Sequence, residues 1–126
     1  MTLPSVHNPG TPPAVVDRQS AQHYTWGDGN DGWHLSRSSD LSIIYERMAP
    51  NTQEISHHHE RATQYFHVIE GVLTMCVGDD RLVLHAGQGV SILPGARHQA
   101  RNETNAAIEF LVVSAPPSHG DRVNAD

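Results

Sequence analysis

Apolar and polar positions alternate along most of this chain, in short runs cut by turn residues roughly every eight to twelve positions. Strands are predicted at Gln22–Trp26, Trp33–Arg37, Leu41–Met48, Gln64–Glu70, Val72–Val77, Leu82–His85, Val90–Leu93, Gln99–Asn102 and Ala107–Ser114. Between the first two lies Gly27-Asp28-Gly29-Asn30-Asp31-Gly32, read as one long turn, and Gly78-Asp79-Asp80-Arg81 closes a hairpin. No window keeps a helical period over two turns, so the pattern predicts an all-β sandwich or barrel. Residues 1–20 hold four prolines and no periodic apolar pattern, which reads as an extended or disordered arm. Residues 21–122 are then one barrel domain, with an irregular tail from Ala115.

Strand parity sorts the candidate chemistry. Alternate side chains share a face, so His57 and His59 point one way and His58 the other. If Gln64 opens the next strand inward, Phe66 and Val68 follow it into the cavity as candidate substrate contacts. His98 starts a later strand and could reach the same cavity from the opposite wall. His67 and His85 turn away, and His23, His34 and His119 take no assignment. Leu41–Met48 has two faces, Leu41/Ile43/Tyr45/Arg47 and Ser42/Ile44/Glu46/Met48. With the first inside, Tyr45 is a candidate general acid/base and Arg47 a carboxylate clamp. With the second inside, Tyr45 packs at an interface and Arg47 pairs with an acid. Trp26 and Trp33 are candidates for the mouth, and Cys76 reads as core.

Composition narrows the partners. The 126 residues suit one domain, and 8 basic against 14 acidic side chains give a net charge of −6. No basic patch is available to neutralise phosphates, so nucleic acid is not an expected partner. All basic residues are arginine, which excludes a Schiff base from the protein's own lysine. A single cysteine excludes an internal disulfide and suits a reducing compartment. The apolar runs are too short to cross a bilayer, and no leader pattern opens the chain, so a cytoplasmic protein is expected. Ten histidines in so short a chain stand out.

Two spacings carry a resemblance. His57-x-His59-x4-Gln64-x6-Gly71 resembles the first motif of the cupin superfamily, and Gly87-x5-Leu93-x-Gly95-x2-His98-x3-Asn102 the second. Gln64 stands where most cupins carry glutamate, and Leu93 where proline is usual. The resemblance covers roughly residues 40–114. It implies a double-stranded β-helix, or jelly-roll, barrel with one divalent transition metal in its mouth. The implied ligands are His57, His59, Gln64 and His98, and a homodimer packed sheet to sheet is implied as well. Imidazoles and an amide carbonyl suit zinc, nickel, iron(II) or manganese.

Gln64 is the informative departure. An amide offsets none of the metal's charge, so the ion keeps nearly +2, acidifies bound water and favours anionic ligands. It also stabilises a trivalent ion less, which disfavours oxidative cycles. Members with three histidines and one glutamine are similar to sugar-acid isomerising and polyketide-cyclising cupins. The expectation is a metal-dependent isomerase, cyclase or lyase acting on a small anionic substrate. An iron(II) dioxygenase and a non-enzymatic binding or sensing module are the alternatives.

Overall fold

The computed structural model describes residues 12–125, and every regular element among them is a strand. In chain order they are β1 Gln22–Trp26, β2 Asn30–Arg37, β3 Ser42–Met48, β4 Thr52–Gln53, β5 His57–His59 and β6 Thr63–Glu70. Then follow β7 Val72–Val77, β8 Asp80–His85, β9 Gly89–Ile92, β10 His98–Asn102, β11 Ile108–Ala115 and β12 Arg122–Asn124. Two antiparallel sheets face each other. One has the order β1-β2-β3-β11-β6-β9, the other β12-β5-β10-β7-β8 with β4 on β10. This is the double-stranded β-helix.

The alternation read from the sequence is what builds the core. Val68, Phe110, Leu73, Met75, Ile108 and Met48 are wholly buried, each on the inward parity of its strand. Gly71 turns β6 into β7 at φ 86°, and a Cβ there would collide with Ile108, so only glycine fits. Asn102 is 1% exposed and satisfies its amide on the carbonyls of Met48, Ala49 and Ala106. A motif residue is thereby spent on holding two crossings together.

Several boundaries differ from expectation. Asn30, Asp31 and Gly32 belong to β2, because the turn needs only three residues before Trp26 pairs with Asn30. Asn30 is drawn inside, where its carbonyl accepts from the Ala49 amide and the Thr52 hydroxyl. The tail forms β12, which pairs with β5 and carries the regular chain to Asn124. Cys76 is half-buried on the outward face of β7, since its neighbour Met75 takes the inward place. Of the expected arm, residues 1–11 lie outside the described residues. Asp17 caps a turn on the amides of Gln19 and Ser20, and Arg18 lies over the rings of Trp33 and Tyr45.

Candidate metal centre

Three buried histidines meet at one end of the barrel. His57 and His59 come from β5, and His98 opens β10 directly opposite His57 in the ladder. Their ligand nitrogens lie within 4.8 Å of one another. His98 therefore sits on the neighbouring strand of the same sheet. The opposite wall is supplied by Gln64, on β6 of the facing sheet.

Tautomers follow from the hydrogen bonds. His57 Nδ1 donates to the Ile55 carbonyl at 2.8 Å, and His98 Nδ1 to the Ala96 carbonyl at 3.0 Å. Each carbonyl sits two residues upstream and only accepts, so Nδ1 carries the proton and Nε2 keeps its lone pair. Burial holds all three imidazoles below their ordinary pKa, His57 down to about 3, so they are neutral ligands at neutral pH.

The Gln64 amide nitrogen donates to Ser114 Oγ at 3.0 Å, which turns its oxygen toward His98 Nε2 at 3.2 Å. That places an acceptor against an acceptor, an unfavourable pair unless something electropositive stands there. His59 Nδ1 is also buried without a partner. Converging lone pairs, an orphaned nitrogen and an inward carbonyl oxygen are what a soft-to-borderline divalent ion satisfies. The three histidines are positioned to bind a metal ion, and the donor set fits one.

The corner that joins the two walls is held by Asp121. Its carboxylate accepts from the amides of Glu60, Arg61 and Ala62, at 2.9 to 3.2 Å. These residues carry the chain from β5 in one sheet to β6 in the other. Burial alone would raise the Asp121 pKa, but the Arg61 and Ala62 amides outweigh it and hold the carboxyl low. The sequence signal was weak, since adjacent Asp121 and Arg122 look like an ordinary solvated pair.

A cavity of about 320 Å³ opens above the cluster. His57, His59, Gln64 and Phe66 line it, together with Tyr24, Trp26, Glu46, Glu54, His119 and Arg122. Val68 does not reach it, being sealed in the core at 0% exposure. Tyr45 and Arg47 are on the wrong side of the sheet. The inner face of β3 is Ser42, Ile44, Glu46 and Met48, and it is Ile44 and Glu46 that line the cavity. Tyr45 instead donates to Glu109, and Arg47 approaches Asp31 at 3.7 Å on the outer surface. Trp33 stays outside with Tyr45, whereas Trp26 reaches the mouth.

The groups in their place are Tyr24, Glu46 and Glu54. Tyr24 donates to Glu46 at 2.9 Å across β2, and Gly32 lies between them. Any Cβ at Gly32 would collide with the Tyr24 ring, so the glycine is what lets this hydroxyl reach its acid. Burial, then the charge of Glu54, pushes Glu46 up to about 8; burial pushes Glu54 up to about 7. Two carboxyls that can hold protons near neutrality face the histidine cluster.

The fold and the cluster define a small β-barrel with three histidines positioned to bind a metal ion. A profile of the cupin domain matches residues 44–114. The chain belongs to the cupin domain family. Among solved structures it is similar to KdgF from Halomonas sp., at 14% identity over 85% of this chain and 98% of that one, TM-score 0.77. It is also similar to the polyketide cyclase RemF from Streptomyces resistomycificus, at 17% identity, 88% and 84% coverage and TM-score 0.76. A third is the cupin-superfamily sugar phosphate isomerase SPO2919 from Silicibacter pomeroyi, at 21% identity, 81% and 75% coverage and TM-score 0.73. These likenesses are of fold. A search of the curated proteins finds no match.

Proposed function

We propose that this cupin is a metal-dependent isomerase, cyclase or lyase acting on a small anionic substrate. The observation that carries the reading is the buried triad His57, His59 and His98, with the Gln64 carbonyl oxygen turned onto it from the facing sheet. These four would hold one divalent zinc, nickel, iron(II) or manganese ion, which supplies Lewis acidity to an oxygen of the substrate. Cyclising and isomerising proteins share the fold, which supports the reading.

The remaining steps belong to the chain's own groups. Glu46 and Glu54 are candidates to hold or accept a substrate proton, in the role that Tyr45 cannot fill from the outer surface. Tyr24 donates to Glu46 and orients its carboxyl. Phe66 and Trp26 give the substrate an apolar wall and exclude water. Arg122, whose Nε is held by Asn124 at 2.7 Å, offers a fixed cation at the mouth in place of Arg47. A homodimer is part of the proposal, because Tyr65 and Ile69 stay exposed on the outer face of the first sheet, where a second copy would cover them. The single cysteine supports a reducing, cytoplasmic setting.

Reconstitution with each of the four metals, followed by a panel of small keto, hydroxy and sugar acids, tests the activity. Conversion to an isomer, ring or elimination product without oxygen uptake is expected. Oxygen consumption dependent on iron(II) and substrate would instead make the protein a dioxygenase.

A further inference from the structure

A second cavity, of about 280 Å³, adjoins the first. The two share Ile44, Ser118 and His119, so they lie side by side along that segment. Their chemistry differs. The metal cavity carries two acidic side chains, Glu46 and Glu54, with Arg122 at its mouth. The second is lined by His34, Arg37 and His119, with Ser42, and contains no carboxylate.

His34 and Arg37 should not share a face. Three positions apart on a regular strand, they would point to opposite sides. The register between β2 and β3 shifts between His34 and Ser36, so that His34 opposes Ile44 while Arg37 opposes Ser42, both inward residues. This bulge re-aims Arg37 into the interior beside His34. Arg37 makes no ion pair among the described residues. His34 Nδ1 is buried without a hydrogen-bond partner. Burial, then the charges of Arg37 and His119, depress the His34 pKa, so the three groups oppose one another's charge with no carboxylate in the lining to offset it.

We infer that this compartment is an oxyanion subsite, binding a carboxylate or phosphate group through Arg37, His34 and His119. It rests on the proposed function only in assigning that group to the substrate: one end at the histidine cluster, the anionic end here. The second compartment would thus take the anionic end away from Glu46 and Glu54.

The test uses the full chain stripped of metal with a chelator that is then dialysed away, so that no anion can be held by a metal. Inorganic phosphate and acetate are titrated by calorimetry, with histidine ring nitrogens followed by NMR. Saturable binding is expected, with a shift of the His34 ring signals and a raised His34 titration midpoint. Arg37→Gln should weaken binding at least tenfold. Arg97→Gln, which removes the same charge from the outer surface of the other sheet, should change it less than twofold. Tighter phosphate than acetate assigns a phosphate group, and the reverse a carboxylate. Equal binding by wild type and Arg37→Gln, equal loss in both variants, or no binding of either anion overturns the subsite. Because no metal is present, each of those outcomes leaves the metal-dependent reading standing, and failure of metal activity leaves this result untouched.

Discussion

The two ends of this barrel are lined by the same strands and do opposite things. Along the inward face, β11 runs Ile108, Phe110, Val112 and then Ser114, while β6 read backward runs Val68, Phe66 and then Gln64. β10 passes from Ala100 to His98. One end is an apolar plug closed by buried Asn30 and Asn102; the other is polar, leaves His59 Nδ1 unpartnered and opens to a cavity. Stability is thereby invested where no ligand goes. The binding end can then keep buried histidines and protonated acids that no stable core would choose.

The sharpest way to break this comparison is to truncate one residue at each end. Phe110→Ala should lower stability by about 3–5 kcal/mol, because a wholly buried ring leaves a cavity in the plug. His98→Ala, equally buried, should abolish stoichiometric metal in elemental analysis. It should also shift metal-free stability by only about 1 kcal/mol, because removing the ring also removes its unfavourable contact with the Gln64 oxygen. Comparable destabilisation by both would show that the ends are not divided. Full metal retention in His98→Ala and in His57→Ala would remove the site.

The next effect falls on the corner between the ends. Asp121→Ala frees the amides of Glu60, Arg61 and Ala62, and the wall carrying Gln64 loses its fixed relation to the wall carrying the histidines. Metal affinity should fall about tenfold, as for other residues that position ligands, although Asp121 touches none of them. Unchanged affinity would make the clasp purely structural. Gln64→Glu probes the same wall: metal binding should tighten, and acetate binding to the metal-loaded protein should weaken. Unchanged or tighter acetate binding would refute the charge reasoning about the amide.

The histidine spacing was readable because strand parity and a two-motif spacing are local properties. His57, His59 and His98 converge as the spacing implied, although His98 reaches the cluster from the strand beside His57 and not from the opposite wall. What parity cannot say is which face of a strand is inside. On β3 both faces mix apolar and polar side chains, and the interior one proved to hold Glu46, with Tyr45 outside. The choice was made by partners distant in sequence: Gly32 leaves room, and Tyr24 reaches across it. The same holds for the second cavity, where a bulge in β2 breaks the two-residue period of the strand. Asp121 lies 59 to 61 residues from the amides it holds, so no window could link them.

The smallest expected effect separates the two kinds of buried titratable group at the open end. Folded Glu46 and Glu54, raised toward about 8 and about 7, keep protons that the unfolded chain gives up above about 4.5. Their contribution to stability is full at low pH and is lost as pH rises through that window. The depressed histidines act in reverse: below 6.5 the unfolded chain takes up protons that the folded chain refuses, so stability falls as pH falls. Above 6.5 only the carboxyls still act. The metal-free protein should therefore lose about 1–2 kcal/mol between pH 6.5 and 8 in denaturant melts. Glu46→Gln, which stays neutral throughout, should flatten that decline while leaving the loss below pH 6 in place. If the variant declines as steeply as the wild type, Glu46 does not hold a proton in the folded cavity.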